Sequence, residues 1–404
     1  MSLLTRLWRP DPEALQRAGR VRALLYVLRA GHTTALRRRA ALALGATGAM
    51  RAVPRLLKTL AEPALRDASA TALARLGATA AADPISRFLP DPDAAPWAVP
   101  ALEALGWEPP PSALGAWLRI RQRRWEALIG MGPPAIGPLL ARLAEPSATQ
   151  AAEALRALGW EPTQDGLGVR ACLLLGDLEG AAALGPLAVA PLLSAEADDD
   201  ALLAALVSVG SEALEPLVAA LDDPLHPRRV LAVRALGALR LPSAVHALTP
   251  LLAGSDPAEV SAACQALGQI GSASAINPLY RALQGEAPRD AARALAQIGG
   301  TKAINLLIGA LHRATPPVTV AAIRALGEAG DPRATRPLLP FLGHRLSLVR
   351  LHTTLALGRL GTRTAVDELS LRLLDDTSGD VREAAASALG QIGDPRALRV
   401  LIAA

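Results

Sequence analysis

Catalysis needs convergent nucleophiles, acids, bases or metal ligands, and this chain of 404 residues offers few. Its histidines are His32, His226, His246, His312, His344 and His352. None is followed by Glu, so the His-Glu pairing that holds a di-iron centre is missing. HExxH, CxxC, GxSxG and P-loop patterns do not occur. Gly130-Met131-Gly132 closes a helix and lacks the strand-to-helix context of a dinucleotide loop. Cys172 and Cys264 sit in Ala/Leu-rich runs and read as small buried hydrophobes of a reducing compartment. No catalytic residue, metal site or cofactor is expected.

The chemistry that remains is recognition by charge and by aromatic surface. Lys58 and Lys302 are the only lysines among 42 basic residues, so nearly every cation is a guanidinium, which offers planar forks to carboxylate or phosphate. The formal net charge is +5, but it is unevenly spread. Residues 1–60 hold twelve Lys/Arg against Asp11 and Glu13, whereas residues 171–227 hold ten acids and no Lys or Arg. Five of the six tryptophans fall between positions 97 and 160, which makes that segment the most singular surface on the chain.

Short helices must position these groups. Hydrophobic residues make up 51% and aromatics 2%, so the apolar half is mainly Ala and Leu, a helix-forming mixture. With 33 Gly and 33 Pro the helices must be brief and regularly punctuated. No run spans a membrane. The longest uncharged stretch, 260–280, carries Gln, Ser, Asn and Pro, and the first ten residues lack a signal-type apolar region. A cytoplasmic protein with no membrane partner is expected.

One element recurs along the chain. It is an apolar residue, often followed by Arg, then Ala-Ala-x-x-Ala-Leu-Gly, and it often closes with Ile/Leu-Gly. The Leu-Gly position falls at Gly237, Gly268, Ala296 (where Gly is replaced), Gly327, Gly358 and Gly390, with spacings of 31, 28, 31, 31 and 32. A shorter apolar helix, as at 275–283 and 303–311, precedes each copy. Each unit is therefore a helix pair. In Gly330-Asp331-Pro332 and Gly393-Asp394-Pro395, Gly ends one helix in the left-handed conformation, Asp caps the next, and Pro fits its first turn. Val381, Ala385, Ala388 and Ile392 form the buried stripe of the second helix.

The pattern Val-Arg-x-Ala-Ala-x-x-Ala-Leu-Gly-x-Ile-Gly-Asp-Pro-Arg-Ala at 381–397 resembles the HEAT repeats of the phycobilisome-lyase-like type. The resemblance covers nearly the whole chain. It implies an all-α solenoid, a HEAT/armadillo-type superhelix of about eleven helix pairs, roughly 10 Å per step, with the second helices on the concave face. It also implies that Arg37, Arg66, Arg229, Arg350 and Arg382, at the second motif position, bridge repeats.

The middle departs from the period. Residues 105–140 recur at 158–193 with a constant offset of 53, and LeuGlyTrpGluPro at 105–109 returns at 158–162. Each copy reads as an ordinary repeat carrying one extra helix, near 112–130 and near 165–181, that interrupts the stack. Trp107 and Trp160 either plug the gap beside that helix or offer a stacking surface to a ligand. The expected organisation is 1–107 with a basic cap, 108–196 with the duplicated Trp-containing repeats, and 197–404 with regular repeats, in one continuous solenoid.

On the exposed face of the second helices, one motif column reads Arg234, Gln265, Arg293, Arg324, Leu355 and Ser387, and Arg289 joins it from the neighbouring column. Such a ladder suits a protein partner with an acidic segment; the alternative is a solvated charged face. The N-terminal arginines Arg17, Arg20, Arg22, Arg29, Arg37, Arg38 and Arg39 could contact nucleic acid, but no aromatics are interleaved with them, and a solvated capping face is the simpler reading. The sequence stops at 399–404 on a first helix without its second, which reads as a truncated end, a partner-covered end, or a site of end-to-end association. The function expected is a non-catalytic scaffold that holds a protein in its groove. The alternatives are a bilin-lyase-like chromophore-handling subunit, which the resemblance alone suggests, and nucleic-acid binding.

Overall fold

A computed structural model describes residues 11–145, 148–223, 225–313 and 315–403. Among these residues there are 28 α-helices and no strand. They form helix pairs in two compact units, one ending at Thr163 and the other beginning at Gln164. No single described helix is long and apolar enough to cross a membrane; Asp199–Ser208 and Gly210–Asp222 reach that length only together and are bent by 115°.

The first unit opens with Pro12–Arg17 and continues with the pairs Val21–Ala30/Thr34–Ala46, Val53–Thr59/Arg66–Arg75 and Ala82–Ser86/Ala95–Ala104. In the second unit the second helices that carry the site are α1 (Arg229–Leu239), α2 (Pro257–Ile270), α3 (Pro288–Ile298), α4 (Pro316–Ala329), α5 (Ser347–Leu360) and α6 (Gly379–Ile392). Each packs on the next. One core cluster runs through this unit from Val169 to Ala397.

Residue choice explains the geometry. Gly330 (φ 67°) and Gly393 (φ 63°) take the left-handed conformation that ends a helix. The Asp331 and Asp394 carboxylates then accept the Arg333 and Arg396 backbone N–H groups, each at 2.9 Å. Several first helices open with a single 3-10 turn whose last residue is a fully buried Ala, as at Ala244, Ala275, Ala334 and Ala365. Between second helices, the Leu-Gly glycine meets an Ala of the next repeat. A methyl on Gly237, Gly268, Gly327 or Gly358 would fall 2.6–3.0 Å from the Cα of Ala266, Ala294, Ala356 or Ala388. That approach leaves no room for a side chain, and it fixes the tight stacking of the array.

The inserts differ from the sequence expectation. Each is two short helices rather than one: Ala113–Arg121 with Trp125–Ile129, and Gly166–Leu174 with Leu178–Ala183. The break falls at Arg123 (φ 57°) in the first copy and at Gly176 (φ 71°) in the second. Each insert packs on the helix pair that follows it. Ala113–Arg121 packs on the next first helix, Ile136–Leu143, and Trp125–Ile129 on the next second helix, Thr149–Ala157. In the second copy, Gly166–Leu174 packs on Val189–Ser194 and Leu178–Ala183 on Asp199–Ser208. Each copy is thus two helix pairs, one of them short.

Candidate binding groove

Arginines at the second motif position are consumed by the repeat junctions. The Arg37 Nε donates to the Leu28 carbonyl at 2.9 Å while its Nη2 pairs with Glu62 at 2.7 Å. Arg66 donates to the Leu60 carbonyl at 3.0 Å and lies 4.5 Å over the Phe88 ring. Arg229 donates to the Leu221 carbonyl and pairs with Glu259 at 2.6 Å. Arg350 donates to the His344 carbonyl at 3.0 Å and pairs with Asp376 at 2.7 Å. Arg382 donates to the Asp376 carbonyl at 2.7 Å. Each therefore ties the end of a first helix to the adjoining second helix, and several reach an acid one repeat on. The hydrogen bond from Arg350 holds the Asp376 carboxyl below the usual carboxylate range despite its burial.

The exposed column behaves differently along its length. Arg234 pairs with Asp200 at 2.8 Å. The Gln265 amide donates to the Ser261 hydroxyl at 3.2 Å, and that hydroxyl donates to Asp290 at 2.7 Å. Arg289, Arg293 and Arg324 converge: all three line one small notch between α3 and α4 with Ala321, Ala325 and Glu328. Glu328 lies 3.6 Å from Arg293. Among the described residues, the Arg289 and Arg324 side chains make neither an ion pair nor a hydrogen bond.

Beside the notch lies a polar groove of about 520 Å³, lined by Gln265, Gln269, Asp290, Arg293, Gln297 and Glu328. Ala296, the one residue replacing Gly in the stacking column between 237 and 358, also lines it. Sequence reasoning missed Gln269 and Gln297. Their amide oxygens lie over the preceding glycines, 2.8 Å and 2.7 Å from where a methyl on Gly237 or Gly268 would stand. The signal was the recurring Gln two residues after Ala-Leu, each copy paired with a glycine one repeat earlier. On α5, burial and the facing Arg324 and Arg359 guanidinium groups hold His352 below its ordinary value.

Trp107 and Trp160 lie in the first unit and are half-buried. Each follows a left-handed glycine, Gly106 or Gly159, and its backbone N–H reaches back to the Leu102 or Leu155 carbonyl at 3.0 Å. This is the residue that commonly folds an apolar side chain back over a helix end. Among the described residues no group of His, Cys, Asp and Glu is placed to hold a metal ion.

Helix pairs stacked in register, with junction arginines inside and a polar face outside, define the class as an all-α repeat solenoid. The chain is a HEAT-repeat protein: HEAT repeats match at 214–291, 285–346 and 336–404, and a PBS lyase HEAT-like repeat matches at 36–62. Among solved structures it is similar to the complex of CpcE and CpcF of phycocyanin lyase from Nostoc sp., at 26% identity over 54% of this chain and 91% of that one, with a TM-score of 0.30. It is also similar to human deoxyhypusine hydroxylase, at 19% identity over 79% and 98%, TM-score 0.27. Kap121p matches at 13% identity over 99% and 52%, TM-score 0.38. No curated protein sequence matches significantly.

Proposed function

We propose that this chain is a non-catalytic scaffold that holds an acidic segment of a partner protein in the concave groove, against the second-helix face between α2 and α5. The observation that carries this reading is the convergence of Arg289, Arg293 and Arg324 on one notch, with two of the three guanidinium groups unpaired among the described residues. Guanidinium forks without internal partners, Arg289 exposed and Arg324 half-buried, are free to take carboxylates, each pair modest alone and the set acting together through one ligand. Gln265 and the polar groove lengthen the track, and Arg234, tied to Asp200, sits at its margin. The buried cysteines carry no disulfide, which suits a cytoplasmic setting; burial and Asp290 push the Cys264 thiol up to about 12, so it is inert.

The test replaces Arg289, Arg293 and Arg324 together by Ala and titrates a fluorescent acidic peptide at two salt concentrations. Affinity is expected to fall and lose its salt dependence while the thermal midpoint stays put. Unchanged affinity in the triple variant would remove the notch as the binding surface. The chromophore-handling alternative is supported only by the repeat type at 36–62, and a shift of the bilin absorption band on adding the protein tests it.

A further inference from the structure

A second depression, of about 350 Å³, lies where α3, α4 and α5 begin. Pro288, Pro316, Pro317, Val320, Leu346 and Leu348 line it, and the charged residues in its lining are Arg289 and Arg324. Leu346 and Leu348 are 39% and 56% exposed. Neither position favours leucine locally. Leu346 is the N-cap of α5 and makes no side-chain cap, where α2 uses Asp256 to accept a backbone N–H. Leu348 lies in the first turn, where an acid would complement the helix dipole, and the matching position one repeat on is Asp380. Two helix-start positions thus forgo capping and dipole stabilisation, and both place an apolar side chain in the same depression. The Pro316-Pro317 pair forms a wall whose backbone is already restricted, so little freedom is lost when a ligand seats there.

Charge identifies the occupant. Arg289 and Arg324 line both the notch and this depression, so the two form one continuous track. We propose that the depression is a specificity pocket taking one bulky aliphatic or aromatic side chain of an acidic peptide, whose carboxylates flank that side chain and engage Arg289 and Arg324. The proposal rests on the acidic-partner reading above and adds the apolar anchor to it.

The test uses two fluorescent synthetic peptides, each with Asp on both sides of a central residue that is Phe in one and Ala in the other, titrated by anisotropy against the full chain. The Phe peptide is expected to bind about tenfold tighter, the gain of burying one large side chain. Leu348→Ser should abolish that preference and leave the Ala peptide unchanged. Leu346→Ser supplies a better cap, so it should fold at least as stably as the wild type and still lose the preference, which separates pocket from fold. Arg289→Ala with Arg324→Ala should weaken both peptides. Equal affinities on the wild type would overturn the pocket and leave the acidic-partner reading standing. Arginine variants that bind like the wild type, or no binding of either peptide, would overturn both. Self-association in sedimentation that Leu348→Ser dissolves would make a second copy the occupant and overturn the proposal.

Discussion

Two arginine-rich surfaces of this protein have opposite fates. In the N-terminal repeats, Arg37 is held by Leu28 and Glu62, Arg38 pairs with Asp67, and Arg39 pairs with Asp11 and Glu13. In the groove of α3 to α5, Arg289 and Arg324 are unpaired among the described residues and stand beside an apolar depression. The first region carries more formal charge, and the second leaves two guanidinium groups without an internal partner among the described residues. The difference lies in what each guanidinium group meets. Arg37, at the second motif position, finds a carbonyl below it and an acid one repeat on, whereas Arg289 and Arg324 meet Arg293 in one notch. Charge counted along a sequence is therefore a poor guide to charge available for binding, and nucleic-acid recognition by the N-terminal face loses three of its seven named arginines to internal pairs.

Charge reversal breaks the comparison most sharply. Arg289→Glu with Arg324→Glu should weaken an acidic peptide about a hundredfold, since like charges then face each other. Arg38→Glu with Arg39→Glu should leave its affinity unchanged by anisotropy. Equal losses would erase the distinction between the surfaces. Next in size is the contrast between a junction arginine and a groove arginine. Arg350→Ala removes two guanidinium hydrogen bonds from the buried Asp376 carboxylate, leaving it the Ser378 N–H and the more distant Arg372, and should cost about 2 kcal/mol in urea unfolding, against no more than about 0.5 kcal/mol for Arg324→Ala. Because the Asp376 carboxyl titrates lower when folded than unfolded, its contribution is present above the ordinary carboxylate value near about 3.9 and is lost as pH falls through the folded value. The penalty of Asp376→Asn should accordingly shrink on acidification. The smallest effect is local: Arg324→Ala should raise the titration midpoint of His352, read from its imidazole proton shifts, because a facing cation has gone.

Much of the fold was legible because the repeat is strict. Val381, Ala385 and Ala388 are buried as their spacing requires, and the Gly-Asp-Pro turns are built as their chemistry suggests. The inserts misled because Arg123 adopts the left-handed conformation without being glycine; Gly176, at the matching place in the second copy, was the available sign of a break. In the groove, periodicity could place Arg234, Gln265, Arg293 and Arg324 on one face. It could not show that Arg234 is engaged, since its partner Asp200 lies a repeat earlier within the acidic run. The apolar depression was hidden for a related reason. Its residues come from three helix starts, where Pro288, Pro316 and Pro317 read only as helix openers and Leu346 and Leu348 belong to no apolar stripe.

Asp376 is gripped twice: Arg350 of the preceding repeat takes its side chain, and Arg382 of its own repeat takes its carbonyl. A residue shared in this way couples the opening of one helix pair to the opening of its neighbour. In a linear array whose units touch only those on either side, such sharing sets how far a local rupture spreads. The amides of α5 and α6 should then exchange with solvent as one block with a common protection factor, and cutting either grip should let α6 exchange ahead of α5.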